Sequence, residues 1–324
     1  MSIIHKIAAP IKEDMKKFET YFQTSLNTPI KLLDIIVNYI FRRKGKQMRP
    51  MLVFLSAKLF GDINSSTYNA ATFIELLHTA TLIHDDVVDD AYERRGFFSI
   101  KALWRSKIAV LVGDFMLAKG MLLAIERDEY ELLKIISNTV KEMSEGELLQ
   151  LEKSRQLNIT EEIYFEIIRK KTATLLASCT SSGAKSVGCE DTTVEKMRLM
   201  GEYIGIAFQI KDDILDYSQN NKIGKPIAND IKEKKLTLPL LYVLNKASKS
   251  EKKKILRTVR VHNKNRKKVN ELVNFVRENG GIAYAESKMN EYKNMALNIL
   301  RDFPDNQAKE SLRNFIEYTS TRKK

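Results

Sequence analysis

The sequence is poor in the residues that break or cross-link a chain. Its 324 residues include 2 cysteines, 6 prolines and 13 glycines. Two cysteines cannot form the disulfide framework of a small secreted protein, so a reducing compartment is expected. Because no stretch rich in proline, glycine and serine marks a linker, the sequence predicts one domain over residues 1–324.

Read residue by residue, the sequence shows no long uninterrupted apolar run. We expect no run to approach the ~18 residues that a membrane-spanning helix needs. The N-terminus lacks the apolar core of a signal peptide. Together these features predict a cytoplasmic protein, in which the hydrophobic 44% of the residues forms a sizeable core.

Acidic residues are outnumbered, since 54 Lys and Arg against 41 Asp and Glu give a net charge of +13. From Lys246 to Lys268, eleven basic residues accompany one acid, Glu251. Such a stretch is typical of a solvated, lysine-rich helix pair, although anionic lipid head groups or nucleic acid could also attract it. It contains no aromatic side chain on which bases could stack, so no nucleic-acid partner is expected.

Helical periodicity extends over nearly the whole chain. Apolar residues recur at i, i+3 and i+4, and strand-like alternation is missing. Helices are predicted over residues 30–41, 51–60, 67–90, 108–125, 129–153, 160–184, 194–217, 236–246, 269–278 and 282–301. The sequence therefore predicts an all-α bundle with a central cavity, whose sites are built from side chains on facing helices.

Two acidic motifs interrupt this apolar pattern. The first is Asp85-Asp86-Val87-Val88-Asp89, and the second is Asp212-Asp213-Ile214-Leu215-Asp216. On a helix, carboxylates spaced by three and four residues crowd one side and repel each other unless a cation lies among them. A hard divalent cation with oxygen ligands meets that need, so the motifs predict two walls of one metal and polyphosphate site.

A solvated acidic helix face is the ordinary interpretation of one such motif. Here the flanking residues are apolar, for example Ile83 and Val87 in the first motif and Ile210 in the second. Surface helices usually carry polar neighbours around their charges, and buried carboxylates need partners. The pair of motifs therefore favours a site over a solvated face.

Basic residues and a histidine accompany the first motif. Lys46 and Arg49 precede a predicted helix whose free N–H groups would favour an anion. His78 lies two turns before Asp85, whereas His84 points away from the motif and is interpreted as structural. Arg94 and Arg95 follow the first acidic helix, where guanidinium groups could bind phosphate oxygens bidentately.

Further polar residues accompany the second motif. Lys170-Lys171-Thr172 opens an apolar stretch, and Gln209 shares a helix face with Asp213 and Asp216. A lysine-rich loop from Lys225 to Lys235 follows. Such a loop is usually only solvated, but here it lies where a metal-bound diphosphate would need cations.

The order of these motifs resembles the trans-prenyl diphosphate synthases, or polyprenyl synthetases. The resemblance rests on Gly45–Pro50, His78, both acidic motifs, Arg94-Arg95-Gly96, Gly113-Asp114, Gly146-Glu147, Lys171-Thr172, Phe208-Gln209 and the Lys225–Lys235 loop. It implies an all-α homodimer that adds isopentenyl diphosphate to an allylic diphosphate. It also implies about three Mg²⁺ ions per site, which oxygen-only ligands suit.

The resemblance also implies a role for each matching residue. Isopentenyl diphosphate would be bound by Lys46, Arg49, His78 and Arg95. The allylic diphosphate would be bound by Arg94, Lys171, Thr172, Gln209, Lys225 and Lys235. The metal ligands would be Asp85, Asp86, Asp89, Asp212, Asp213 and Asp216. Metal and side-chain cations would then stabilise the departing diphosphate as the allylic cation forms.

Product length follows from the residues just before the first motif. In short-chain members of the family, bulky aromatics four and five residues before the first aspartate form the pocket floor. Here these positions hold Thr81 and Ala80, and Leu77 lies one turn deeper. Small residues leave the pocket open, so we expect a product of thirty or more carbons, such as a quinone side-chain precursor, and peripheral membrane contact.

Other interpretations remain at this level. A short-chain synthase differs only at the pocket floor. A terpene cyclase shares one acidic motif but lacks the Gly45–Pro50 loop, and an HD-type phosphohydrolase would need more histidines than the 4 present. A basic binding protein would explain the net charge but not the two acidic motifs. Phe97-Phe98, Ala228 and Lys234 depart from residues common in the family.

Overall fold

The computed structural model describes residues 3–42, 45–94, 97–217 and 228–322. Within these ranges the chain is all-α, as predicted, with sixteen α-helices. They are α1 (Ile3–Ala8), α2 (Lys12–Ser25), α3 (Lys31–Phe41), α4 (Met48–Phe60), α5 (Ser65–Val88), α6 (Ile100–Glu126), α7 (Tyr130–Gln156), α8 (Glu161–Ile168), α9 (Thr174–Ser186), α10 (Asp191–Asp216), α11 (Asn229–Lys232), α12 (Leu238–Lys246), α13 (Lys249–Val261), α14 (Arg266–Glu278), α15 (Gly281–Arg301) and α16 (Gln307–Thr321). A 3₁₀ turn joins α1 to α2, and a π-helix, Arg169–Ala173, joins α8 to α9.

The structure differs from the sequence-based expectation at a few places. A two-residue hairpin, β1 (Glu93–Arg94) and β2 (Phe97–Phe98), lies where only a break was predicted, with Glu93 opposite Phe98. Helix α4 begins at Met48 instead of after Pro50, and Gln47 before it adopts the left-handed conformation (φ 47°). Proline is tolerated in this first turn because its missing N–H would have no partner there.

Contacts divide the chain into two compact units that interleave along the sequence. Unit 1 comprises Met1–Val140, Ser178–Arg198 and Phe303–Leu312, and unit 2 comprises Lys141–Ala177, Leu199–Asp302 and Arg313–Lys324. Four of the boundaries fall inside α7, α9, α10 and α16, and the one after Asp302 falls between α15 and α16. That the chain is a single domain stays a prediction.

The centre of unit 1 is helix α4, which is buried on all sides from Pro50 to Ala57. A helix that is apolar all round needs neighbours on every face. Helix α5 packs on α4 and on α6. Its start at Ser65 is fixed by a reciprocal pair of hydrogen bonds between Asn64 and Thr67, which satisfies the free N–H groups there. Cys179 and Cys189, also in unit 1, are both free thiols.

Helix α6 contradicts the expectation that no apolar run approaches the length of a membrane-spanning helix. By length and composition it is long and apolar enough to cross a membrane, with a mean hydropathy of 2.0 over 18 residues, of which 33% are buried in the protein. Single charges at Asp114 and Lys119 hide this run when the sequence is read residue by residue. Core helices of soluble proteins have the same length and composition. The helix is interrupted at Arg105, which has a φ of 70°.

The core of unit 2 surrounds the C-terminal half of α10. Ile210 is fully buried among side chains of α12, α14 and α15, including Leu240, Val276 and Ala285. Tyr242 of α12 stacks on Tyr284 of α15 with ring centroids 4.3 Å apart. This packing holds the end of α10, and with it the second acidic motif, on a rigid base.

Candidate active site

The first acidic motif lies at the C-terminal end of α5. Asp86 is 5% exposed, Asp85 is half-buried, and Asp89 is exposed as the residue that caps the helix. The N–H groups of Asp89 and Ala91, which follow the helix, donate to the carbonyls of Asp85 and Asp86 and close the helix end in a tight turn. The motif therefore presents carboxylates at a helix end, instead of along a solvated face.

His84 lies on the side of α5 that faces α6, away from the aspartates, as the sequence predicted. Its Nε2 is 3.2 Å from the carbonyl oxygen of Val110 and 3.4 Å from Oδ1 of Asp114. A Cβ on Gly113 would lie 2.2 Å from the same nitrogen. A side chain at position 113 would therefore displace the His84 ring from these contacts, which relates the Gly113-Asp114 pair to packing around His84.

An apolar cavity of about 210 Å³ lies within unit 1, deeper along α5 than the aspartates. It is lined by Phe73, Leu76, Leu77, Met116, Leu117, Gly120, Met121, Ala124, Leu133, Ile136, Ser137 and Val140. Leu77 of the predicted chain-length residues is among them. Ala80 is fully buried one turn nearer to the aspartates, and the hydroxyl of Thr81 donates to the carbonyl of His78 at 2.9 Å.

Only some of the predicted basic residues have side chains that the structure describes. Lys46 is exposed before α4, Arg49 is half-buried in its first turn, and His78 is 8% exposed on α5. Arg94 belongs to β1, and its side chain is not described. Arg95 and Lys225 lie outside the described residues, so their predicted contacts stay predictions.

Asp213 is the most deeply buried carboxylate of the second motif, with 3% of its surface exposed. Its Oδ2 accepts a hydrogen bond from the hydroxyl of Tyr164 at 2.6 Å, and its Oδ1 accepts one from the amide of Gln209 at 2.9 Å. The amide oxygen of Gln209 in turn accepts from the hydroxyl of Thr172 at 3.0 Å. These three side chains fix the orientation of the Asp213 carboxylate.

Burial raises the pKa of Asp213 to about 7, and the neighbouring charges of Asp212 and Asp216 contribute to the rise. The hydrogen bonds from Tyr164 and Gln209 oppose it. Burial also raises the pKa of Asp216, although two backbone N–H groups, those of Asn229 and Asp230, donate to its oxygens at 3.0 Å. The cluster thus holds more negative charge than its surroundings compensate.

Asp230 is a fourth carboxylate of this cluster that the sequence analysis did not assign. Burial, followed by the charges of Asp213 and Asp216, raises its pKa well above the ordinary value, whereas Lys235 lowers it. Asp230 lies between Lys225 and Lys235, in the stretch that was predicted to contribute lysines to the site. It lies 14 residues after Asp216 and outside the predicted helices, so no periodic pattern in the sequence could have revealed it.

Asp212 faces a different partner. Its Oδ1 is 2.7 Å from Nη2 of Arg322, near the end of the described chain. The guanidinium of Arg322 also lies 3.8 Å from the centroid of the Phe208 ring and donates to the Phe208 carbonyl at 3.3 Å. Sequence reasoning missed Arg322 because more than a hundred residues separate it from the motif.

The π-helix brings Lys171 and Thr172 to the second motif. A Cβ on Gly205 would lie 2.4 Å from Cα of Ala173, and one on Gly146 would lie 2.8 Å from the backbone nitrogen of Lys171. These two glycines therefore let α10 and α7 approach the wide turn closely. π-Helical turns are frequent at functional sites.

The cations near this turn are held in ion pairs. Lys171 pairs with Glu147, and Nζ of Lys170 is 2.7 Å from Oε2 of Glu145. Lys235 pairs with Glu233 at 2.5 Å. Glu147 was singled out in the sequence only as part of a motif, and the structure gives it a contact to a predicted site residue.

One polar pocket of about 150 Å³ in unit 2 gathers five of the predicted residues. These are Lys171, Thr172, Gln209, Asp213 and Lys235, and the lining also includes Asp230, Tyr164 and Gln150. Carboxylates, cations and an amide thus surround one space. That the first acidic motif, which belongs to unit 1, completes the same site stays a prediction.

These carboxylates fit Mg²⁺ by their chemistry. Their donors are oxygens only, and the raised pKa of Asp213 reports negative charge that a cation would offset. Among the described residues, no three His, Cys, Asp or Glu side chains are close enough to hold an ion by themselves. Mg²⁺ sites commonly consist of one or two carboxylates completed by water and substrate phosphates, and this arrangement agrees with that pattern.

Replacing Asp213 with Asn should flatten the dependence of stability on pH. The pKa of about 7 lies above the ordinary 3.8, so the folded protein binds more protons than the unfolded chain between these values. The free energy of unfolding should therefore fall as pH rises through this window, by at most about 1.4 kcal/mol per pH unit from this carboxyl. Urea titrations without divalent metal measure it. If the free energy of unfolding depends on pH in the same way in wild type and in Asp213→Asn, the raised pKa of Asp213 is refuted.

Comparison with known proteins covers nearly the whole chain. A family model described as Polyprenyl synthetase matches residues 30–276. The all-trans-nonaprenyl-diphosphate synthase (geranyl-diphosphate specific) of Rhodobacter capsulatus is 33% identical over 310 residues, which are 95% of this chain and 94% of that protein.

Two solved structures are similar over the same extent. The crystal structure of polyprenyl synthase from Caulobacter crescentus CB15, complexed with calcium and isoprenyl diphosphate, has a TM-score of 0.91 at 29% identity and covers 99% of this chain and 98% of that one. Geranylgeranyl pyrophosphate synthase from Bacteroides thetaiotaomicron has a TM-score of 0.84 at 38% identity, with 99% and 100% covered. With its two acidic motifs at helix ends, its all-α fold and this similarity, the chain belongs to the polyprenyl synthetase family.

Proposed function

We propose that this protein is a Mg²⁺-dependent prenyltransferase that adds isopentenyl diphosphate to an allylic diphosphate. The observation that carries the proposal is the polar pocket of unit 2, where Lys171, Lys235, Gln209 and Thr172 surround the carboxylate of Asp213. A pocket lined by both cations and carboxylates suits an anion that brings its own metal ions. Membership of the polyprenyl synthetase family supports the same activity. A cytoplasmic location stays a prediction.

In unit 2 the allylic diphosphate would lie against the π-helix. Lys171 and Lys235, released from Glu147 and Glu233, would bind its oxygens, and the hydroxyl of Thr172 would donate a further hydrogen bond. Asp212, Asp213 and Asp216 would hold metal, and Gln209 orients Asp213. Arg94 and Lys225 belong to the same proposed set by family resemblance.

In unit 1 the carboxylates of α5 would hold the remainder of about three Mg²⁺ ions, a number that the family resemblance implies and that oxygen-only ligands suit. Asp85, Asp86 and Asp89 are the proposed ligands. Isopentenyl diphosphate would be bound by Lys46, Arg49, His78 and Arg95. Arg49 and His78 are both held by the packing of α4 and α5, which favours a fixed binding geometry.

The chain's own residues explain how the allylic C–O bond could break. Bound Mg²⁺ supplies Lewis-acid stabilisation of the leaving diphosphate. Fixed cations at Lys171 and Lys235 add electrostatic stabilisation that needs little reorganisation. Apolar side chains along α5 would keep water from the allylic cation until the double bond of isopentenyl diphosphate attacks it. No side-chain base is evident in the motifs, so the released diphosphate is the proposed proton acceptor.

We propose that the product is long, with thirty or more carbons. Ala80 leaves no bulky side chain below the aspartates, and the apolar cavity beyond Leu77 offers space for a growing chain. The name of the nonaprenyl relative supports this, and a long apolar product favours peripheral contact with a membrane. A product of twenty carbons is the alternative, since the geranylgeranyl synthase structure is 38% identical.

We also propose that two copies of the chain pair through α6. Its outer face exposes a stripe of apolar residues, which are Leu103, Val110, Leu111, Met121, Leu122 and Ile125, each at least 40% exposed. A contiguous apolar patch of this kind is unusual on a monomer. A second copy presenting the same stripe would cover it and account for an apolar helix of which only 33% is buried.

Replacing Asp213 or Asp85 with Asn should lower turnover about 100-fold or more, because metal would no longer be held against the diphosphate. Turnover of farnesyl diphosphate and isopentenyl diphosphate is measured with Mg²⁺ and with a chelator, which should abolish it. Asp302→Asn, at an exposed end of α15, should retain wild-type turnover. Full activity in either site variant, or in chelator, would contradict the proposal.

Filling the apolar cavity should shorten the product. Gly120 lines it, and a Cβ there would meet only the Leu76 side chain, with Cδ1 at an ordinary 3.6 Å and Cβ at 3.9 Å. Gly120→Leu should therefore lower the longest product seen by chromatography, and Ala80→Phe should shorten it further because it blocks the path nearer the aspartates. Gly120→Ala is the matched control and should keep the wild-type length. A wild-type product of at most twenty carbons would refute the long-chain assignment.

Charges placed in the α6 stripe should separate the copies. Leu111→Glu combined with Leu122→Glu should turn the dimer into monomers, since paired carboxylates cannot be buried without partners. Sedimentation equilibrium gives the mass. Val261→Glu, at a residue that is 62% exposed on α13, should leave the dimer intact. A wild-type protein that sediments as a monomer would refute the interface.

A further inference from the structure

Helix α13 and the start of α14 carry a basic surface that the proposed activity does not use. From Lys246 to Lys268 there are eleven Lys or Arg and one acid, so this stretch holds a net +10 of the chain's +13. The exposed cations are Lys246, Lys249, Lys253, Lys254, Arg257, Arg260, Lys264, Arg266 and Lys267. None of the nine is a candidate site residue.

The cations of α13 occupy one face of the helix. At 100° per residue, Lys249, Lys253, Arg257 and Arg260 fall within about 80° of each other around the axis. Ile255, Thr258 and Val259 are buried on the opposite side. The apolar face of α13 is therefore buried by packing in unit 2, and the basic face is exposed to solvent.

The charges on this face have no counter-charge in the part of the chain that the structure describes. Among the described residues, no cation of α13 or of the loop after it forms an ion pair. Glu251, the single acid of the stretch, accepts hydrogen bonds from the backbone N–H of Ser248 at 2.8 Å and from its hydroxyl at 2.7 Å, at the N-terminal end of α13. Partial desolvation and the charges of Lys268 and Arg257 lower the pKa of His262, which agrees with a positive local potential.

The surface is also preformed. Asn263, in the loop between the two helices, is 7% exposed and donates to the carbonyl of Lys232 at 2.6 Å. The side chain of Asn265 caps α14 by accepting from the N–H of Lys268 at 3.1 Å. Val261, an apolar side chain that is 62% exposed, projects from the last turn of α13. Little ordering entropy would be lost when a partner binds.

We propose that this basic face of α13 and α14 docks the protein on the surface of an anionic lipid bilayer. Clusters of four to eight Lys and Arg are typical of surfaces that bind anionic lipids, with each cation contributing a similar increment. Residues 246–268 contain no Phe, Tyr or Trp, which disfavours single-stranded nucleic acid as the partner. The proposal does not rest on the enzymatic activity, since it needs only charge, exposure and a fixed helix face.

Vesicle binding by the full-length protein tests the proposal. The protein should sediment with vesicles of phosphatidylcholine that contain phosphatidylglycerol and should stay in solution with phosphatidylcholine alone. Binding should weaken as salt rises, because exposed charges are screened. Equal binding to both kinds of vesicle, or binding to neither, would overturn the proposal.

Matched variants assign the surface. Lys253→Glu, Arg257→Glu and Arg260→Glu together should weaken binding about tenfold or more. Lys31→Glu, Lys134→Glu and Lys196→Glu change the net charge equally at exposed positions elsewhere and should bind like wild type. If the charge-reversal triple variant of α13 unfolds at a lower temperature than wild type, the triple variant with Gln at the same positions is used instead. It should lose less vesicle binding than the charge-reversal variant would. Equal losses in both triples would overturn the assignment.

Two further measurements separate this proposal from its rivals. Duplex DNA at equal phosphate concentration should compete poorly with the vesicles, and DNA binding tighter than vesicle binding would overturn the bilayer in favour of nucleic acid. Turnover of soluble short substrates should be unchanged in the α13 triple. A parallel loss of turnover would place these residues in the active site and overturn the proposal, whereas failure of the proposed function would leave vesicle binding intact.

Discussion

The structure of this protein depends on carboxylates held away from water at the ends of apolar helices. Asp213 is the extreme case, because it is 3% exposed and has like charges beside it. Burying such a group costs free energy unless partners or a cation compensate. Tyr164 and Gln209 supply part of that compensation, and the raised pKa shows that they do not supply all of it. We propose that a metal-bound anion supplies the remainder.

The backbone around this cluster is adapted to bring cations to it. A π-helix widens the chain at Lys171 and Thr172, and the missing Cβ atoms of Gly146 and Gly205 let neighbouring helices close on it. Lys171 lies in an ion pair with Glu147, so its ammonium group is already positioned when an anion arrives. The same residues that destabilise a regular helix thus serve the pocket, as is common at functional sites.

Outside the pocket, two surfaces are chemically distinct. The apolar stripe of α6 is exposed to solvent in a single chain. The basic face of α13 lacks counter-charges among the described residues. A second copy of the chain suits the first surface, because like apolar faces exclude water from each other. An anionic bilayer suits the second. Together with the proposed long apolar product, these two proposals imply an enzyme that would work as a pair of chains at a membrane.

Much of the site could be predicted from the sequence because it depends on local spacing. Gln209 and Asp213 are four residues apart on one helix, and the helix geometry alone places them side by side. Lys171 and Thr172 were predicted as neighbours of the second motif from the family resemblance, and both line the polar pocket. The hairpin at Glu93–Phe98 escaped prediction, because two-residue strands carry no periodic signal.

What the sequence by itself determined is the helical architecture, the two acidic motifs and the family, since all of these follow from residue types at fixed spacings. Only the tertiary structure decided that Arg322 pairs with Asp212, that Tyr164 donates to Asp213, and that Asp230 joins the cluster. The physical reason is that packing brings together residues separated by tens to more than a hundred positions. No periodicity along the chain encodes such meetings, which depend on how buried side chains fill the space around α10.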